Sequence, residues 1–211
     1  MLCKIGVIAV NRLKIYVDFD ECVCKSSDRI AEFARLKYGD SPDFKYVKGC
    51  DIKTWNALEI PQLTMEDMTE VFSSQWFFDT CELHPNCQEV LYKLSQDERY
   101  EISFCSIGSS ENIARKTQYL DKHFPFITRH WMIVQNGTHD IVMDKSKIVN
   151  DGMCIDDHQK NLASAKYPVL FTDRGMTEWN KDIYYSDKVV YVNKWEQVEH
   201  IAEEFWEREN R

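Results

Sequence analysis

The sequence predicts an α/β protein: a parallel sheet covered on both faces, with a small helical segment inserted after an early strand. Three observations carry this. From residue 100 onward, short apolar runs rich in β-branched and aromatic residues alternate with amphipathic helical stretches, as they do when helices connect parallel strands. An early run, 13–18, has the same strand character and ends in acid. Between them, residues 25–85 carry helical patterns and no strand pattern.

Residues 4–10 predict a hairpin partner for the strand at 13–18 (Leu-Lys-Ile-Tyr-Val-Asp). Residues 26–38 open with Ser-Ser-Asp and place Ile30, Phe33, Ala34 and Tyr38 at helical spacing, which predicts a serine-capped amphipathic helix ended by Gly39-Asp40-Ser41-Pro42. Residues 40–64 are weakly patterned. Thr64-Met65-Glu66-Asp67 predicts an N-cap followed by early acids, opening a helix to about residue 73. Pro85 starts a further helix with Val90, Leu91 and Leu94 on one face. Residues 100–105 form a strand, Ser106-Ile107-Gly108-Ser109-Ser110 leaves it, and a helix runs to about His123. Asn136-Gly137 predicts a hairpin turn between 131–135 and 139–143. Residues 153–155 form a short strand, and Asp156-Asp157-His158 opens a helix to about 166. Residues 169–171 and 189–192 are strands, and 195–207 closes the chain as an amphipathic helix with a charged, fraying end.

The 211 residues suffice for one core, 1–24 with 86–211, and one small cap, 25–85. Lysine and arginine number 26 against 35 acids, a net charge of −9, so a long nucleic acid gripped through its phosphates is not an expected partner. The longest apolar run near the N-terminus, 5–10, falls short of the roughly 7–15 residues of a secretory core and the roughly 18 of a membrane span. The expectation is a cytoplasmic protein without a membrane partner. Eight irregularly spaced cysteines, with no Cys-x-x-Cys pair, read as reduced thiols.

Ligands of an open α/β sheet lie beyond the carboxyl ends of its strands. The residues that follow the strands here are Asp18 and Asp20, then Ser106, then Asp156 and Asp157, with Lys145 and Lys147 shortly before the last pair. Four clustered carboxylates need a counter-charge, and Mg²⁺ supplies one: a hard cation that takes oxygen ligands and shares a substrate phosphate. One carboxylate can then attack phosphorus, and a second, two residues on, can protonate the leaving oxygen and activate water.

Val17-Asp18-Phe19-Asp20, Phe104-Cys105-Ser106, Asp144-Lys145-Ser146 and Ile155-Asp156-Asp157 resemble the four motifs of the haloacid dehalogenase superfamily, in order. Within it the chain resembles the 5′(3′)-deoxyribonucleotidases. Trp76-Phe77-Phe78-Asp79 with Glu82-Leu83-His84-Pro85, 167–172, and Val192-Asn193-Lys194-Trp195 extend the likeness over nearly the whole chain. The resemblance implies a Rossmann-like three-layer core and a Mg²⁺-dependent phosphomonoesterase acting on (deoxy)ribonucleoside monophosphates. It implies that Asp18 is the nucleophile, Asp20 the general acid/base, Ser106 the motif II hydroxyl and Lys145 the motif III lysine. Mg²⁺ is then held by Asp18, Asp20 (through its main-chain carbonyl), Asp156 and Asp157. Phe72 and, more loosely, Trp55 stand where a cap aromatic meets the base, and Ile107 occupies the second motif II position.

The chain departs from the family pattern at Glu21, where glycine is usual, and at Ile107, where a second hydroxyl is usual and Ser109 or Ser110 stands near. Met143 replaces an arginine, and a Lys145–Asp156 spacing one longer than expected leaves Lys147 as an alternative lysine. Other readings are a phosphatase of another small phosphometabolite or of a polynucleotide 3′-phosphate, and a binding protein that no longer turns over. A homodimer is compatible with the sequence, which does not fix the oligomeric state.

Overall fold

The structure is a computed structural model that describes residues 11–54, 56–135 and 144–211. Six parallel strands form one sheet: β1 (Leu13–Val17), β2 (Tyr100–Gly108), β3 (His130–Val134), β4 (Met153–Asp156), β5 (Tyr167–Phe171) and β6 (Val190–Val192), in the order β3-β2-β1-β4-β5-β6. This is the α/β architecture expected. Alternation along the strands explains why both faces are covered. Ile15 and Val17, Met153 and Ile155, and Val169 and Phe171 belong to one apolar cluster; the intervening Tyr16, Cys154 and Leu170 belong to a second. A strand buried on both faces reads as a continuous apolar run, as these do.

The helices are α1 (Ser26–Tyr38), α2 (Met65–Ser73), α3 (Gln75–Thr80), α4 (Cys87–Gln96), α5 (Ser110–His123), α6 (Gln159–Leu162) and α7 (Glu196–Asn210), with a 3₁₀ turn at Gly49–Asp51. The α4 and α7 helices pack on each other and against β2 and β1. The α5 helix covers β2 and β3, and α6 covers β4 and β5. Helices α1 to α3 lie between β1 and α4. The chain leaves for them and returns side by side: His84 N–H donates to Val23, Lys25 N–H donates to Glu82, and Cys24 bridges Leu83.

The N-cap predicted at Thr64 is present, and the Asp67 side chain completes a capping box with it. Several expectations are corrected. Ser26 and Ser27 do not cap α1; Lys25 holds that position, and the hydroxyls turn instead to Asp20 and Arg174. The helix expected from Pro85 begins at Cys87, because Asn86 takes a left-handed conformation at its N-cap. The β2 strand runs three residues beyond Cys105, since β3 pairs with it through Gly108 and Val134. Its following helix is capped by the Ser109 side chain, leaving Ser106 inside the strand. The α6 helix ends at Leu162, short of 166, and α7 continues to Asn210. Residues 131–134 form a strand as predicted, but their described pairing is parallel, with β2; the turn at 136–137, the strand at 139–143 and the one at 4–10 lie outside the described residues.

Candidate active site

Strand order reverses direction at β1, with β2 and β3 on one side and β4 to β6 on the other. Such a reversal opens a crevice at the carboxyl edge of the sheet. Asp18 and Asp156 stand at that edge on neighbouring strands, and the Asp18 N–H donates to Ile155.

A buried ammonium knits this side. Lys145 Nζ lies 2.6 Å from Asp18 Oδ1 and 2.6 Å from Asp156 Oδ2, and its side chain is 2% exposed. Lys147 is exposed. Burial opposes the charge on Lys145, but Asp156 and Asp18 outweigh it and hold its pKa well above the lysine value. Burial pushes the Asp18 carboxyl up to about 6, opposed by Lys145 and reinforced by Asp156 and Asp20.

A second ammonium, which the sequence reading missed, knits the other side. Lys116 of α5, 1% exposed, donates to Asp20 Oδ2 at 2.5 Å, to Ser106 Oγ at 2.9 Å and to the Ile107 carbonyl at 3.3 Å. Its signal lay in the helix pattern: Lys116 falls between Ile113 and Leu120 on the stripe that α5 buries. Asp20 also accepts from Ser26 Oγ at 2.8 Å.

The aspartate pair at the end of β4 divides. Asp156 is saturated: besides Lys145, its Oδ1 accepts from His158 N–H at 2.9 Å and Asn161 Nδ2 at 3.0 Å. Asp157 accepts from the Trp179 indole at 2.7 Å. Its carboxyl is held well above the usual range by burial and by Asp156, Asp18 and Glu21. Asp18, Asp157 and Cys22 bring donor atoms within 4.8 Å of one another; the side chains of Asp156 and Asp20 are not in that group. Two buried carboxylates facing one another, each raised toward its protonated form, are a donor set that fits a divalent cation, whose charge would reverse that cost.

Glu21 has φ 59°, the left-handed region where glycine is usual. Its carboxylate accepts from Ser27 N–H at 2.5 Å and pairs with the Arg174 guanidinium, which also donates to Ser27 Oγ at 2.6 Å. Arg174 lies after β5, and no sequence signal tied it to Glu21.

Of the residues expected near the base, Trp55 lies outside the described residues, as does Met143. Phe72 ends α2, half-buried, and its carbonyl accepts from Asn112 Nδ2 at 2.8 Å, one helical turn beyond Ile107 and Gly108. A Cβ on Gly108 would meet Asn112 Oδ1 at 2.1 Å, so a side chain there would displace the Asn112 amide from Phe72. Aromatic rings connect Phe72 to the turn that carries Asp18 and Asp20. Phe72 lies 5.4 Å from Phe77, Phe77 lies 5.0 Å from Phe78, and Phe78 lies 6.0 Å from Phe19, the residue between the two aspartates.

With this geometry in hand, comparisons with known proteins supply a family and a fold. The family model described as "5' nucleotidase, deoxy (Pyrimidine), cytosolic type C protein" matches residues 11–203. Proteins of Staphylococcus aureus strains Mu50 and MRSA252, each named "Putative 5'(3')-deoxyribonucleotidase", are 24% identical over 194 residues, covering 90% of this chain and 95% of theirs. Among solved structures, a "Putative Phosphatase from Clostridium difficile" aligns with a TM-score of 0.63 at 11% identity, over 91% of this chain and 99% of its own. A haloacid dehalogenase-like family hydrolase from Streptococcus pneumoniae aligns with a TM-score of 0.56 at 13% identity, over 90% and 98%. At these identities the structures speak for the fold.

Proposed function

The chain belongs to the 5' nucleotidase, deoxy (pyrimidine), cytosolic type C family, and from that membership we propose a Mg²⁺-dependent 5′(3′)-nucleotidase that dephosphorylates (deoxy)ribonucleoside monophosphates through an aspartyl-phosphate. Hydrolysis of a phosphoric monoester follows from the family; the metal, the nucleotide and the residue roles are our reading. The observation that carries it is the pair of buried ammoniums. Lys145 joins Asp18 to Asp156, and Lys116 joins Asp20 to Ser106, so the four motifs meet at one end of the sheet.

In this reading an Asp18 carboxylate oxygen attacks phosphorus while the bond to the ester oxygen breaks. Asp20 gives its proton to that oxygen, releasing a nucleoside. Asp20 then takes a proton from water, which attacks the same phosphorus and frees Asp18 and inorganic phosphate. Lys116 orients Asp20 and Ser106, and Lys145 orients Asp18 and offsets its charge. Asp18 and Asp157 would hold Mg²⁺, with the Asp20 main-chain carbonyl as the resemblance implies and Asp156 behind them. When bound, the ion neutralises phosphoryl oxygens as charge shifts.

Residues 25–85 would act as a cap, with Phe72 and Ile107 against the nucleoside; Trp55 is assigned there from sequence alone. The seven described cysteines are all free, which supports a reducing, cytoplasmic setting. Among the described residues no helix is long and apolar enough to cross a membrane.

Phosphate release from a panel of nucleoside monophosphates, with and without Mg²⁺, tests the reading. Release with Mg²⁺ that Asp18→Asn abolishes is expected. No release from any nucleotide, or full activity in Asp18→Asn, would overturn it.

A further inference from the structure

Cys22 is the donor in the metal group that the catalytic reading does not use. It is fully buried, and its Sγ lies within 4.8 Å of carboxylate oxygens of both Asp18 and Asp157. Its position is fixed by the turn around it. The Cys22 carbonyl accepts from the Trp195 indole at 2.9 Å, and Val23 and Cys24 N–H both donate to the Phe19 carbonyl at 3.0 Å. Main-chain hydrogen bonds thus fix the turn that carries the sulfur beside the two carboxylates.

Carboxylate oxygen and thiolate sulfur are different donors. Mg²⁺ demands oxygen ligands at about 2.0–2.1 Å and leaves a thiol protonated and unligated. A softer cation binds thiolate at about 2.3 Å and carboxylate at about 2.0–2.2 Å, so donors within 4.8 Å of one another close onto one ion after a small side-chain adjustment. We propose that Cys22 is a third protein ligand for thiophilic divalent cations such as Zn²⁺, Cd²⁺ or Co²⁺ at the Asp18–Asp157 site, which thus has a second coordination mode besides the all-oxygen one. On binding, the metal–sulfur bond forms and the thiol proton passes to solvent. This inference rests on the assignment of Asp18 and Asp157 as metal ligands.

The test titrates Co²⁺ alone into the full chain in a Cys3→Ser/Cys50→Ser background, which removes the exposed thiol and the one outside the described residues. The expected result is a near-ultraviolet sulfur-to-cobalt charge-transfer band, reversed by excess Mg²⁺ and absent from Cys22→Val and Cys22→Ser. Cd²⁺ affinity should fall by about tenfold or more in Cys22→Val while Mg²⁺ affinity moves by less than roughly twofold. Retained Mg²⁺ affinity also reports that the variant is folded. A band that survives in Cys22→Val overturns the proposal, as does Co²⁺ that Mg²⁺ displaces without any such band. Phosphatase activity with Mg²⁺ but no charge-transfer band sinks the Cys22 ligand alone. Failure of both metals to bind sinks it together with the metal site.

Discussion

The Lys116 ammonium lies 2.5 Å from the Asp20 carboxylate, on a buried helix stripe beside Ile113, Tyr119 and Leu120. A buried cation placed there is costly unless its partners repay it, and Asp20, Ser106 and the Ile107 carbonyl do so together. The arrangement fixes the carboxylate that the proposed reaction uses as a proton carrier.

Lys116→Met should therefore lower kcat on nucleotides by about 10²–10⁴-fold, the range of general acid–base catalysis. On p-nitrophenyl phosphate, whose leaving oxygen needs no proton, the loss should be much smaller. Steady-state kinetics on both substrates check this; equal losses would assign Lys116 a role in folding or phosphate binding instead.

The two candidate lysines separate by stability. Lys145→Met strands two buried carboxylates and should cost about 3–5 kcal/mol at neutral pH. Lys147→Met changes an exposed residue and should stay within about 0.5 kcal/mol. Urea unfolding of each variant decides, and a silent Lys145→Met would contradict the ion triad.

At Glu21 the backbone would accept glycine more easily, yet Glu21→Gly should destabilise by about 3 kcal/mol because it orphans the buried Arg174 guanidinium. Adding Arg174→Leu should restore most of the loss. A double-mutant cycle should give a coupling of about 1–3 kcal/mol, and additivity would dissolve the pair.

His84 sets an acid limit. It is buried edge-on to Phe171, and its Nε2 has no hydrogen-bond partner among the described residues. Burial lowers its pKa from 6.5 to about 4, against the opposing pull of Asp173. The unfolded chain thus binds the proton first as pH falls. The stability tied to neutral His84 is fully present above pH 6.5 and is lost down through about pH 4, amounting to about 3 kcal/mol at most. His84→Phe should unfold less steeply across that window, measured by urea midpoints at several pH values; an unchanged slope would refute the assignment.

The strands and their order of chemistry were legible because fully buried parallel strands leave unbroken apolar runs, and because Asp18, Asp20, Ser106, Asp156 and Asp157 stand directly where those runs stop. What escaped depends on partners distant in sequence. Lys116 looks like an ordinary helix lysine unless Ile113 and Leu120 are read as its neighbours on a buried stripe. Arg174 meets Glu21 across 153 positions. Ser26 and Ser27 carry a capping signal that the site diverts to Asp20 and Arg174. Asp156 and Asp157 are chemically identical in sequence; only the donors around Asp156 tell them apart.

Under the proposed function, the relay of rings from Phe72 through Phe77 and Phe78 to Phe19 would make choosing a substrate and converting it share one piece of packing. Exchanging a ring to admit a different base would shift Phe19 and, with it, the aspartates on either side. A ring exchange that changes the preferred base would then also lower turnover, and a compensating change among the same four aromatics would recover it.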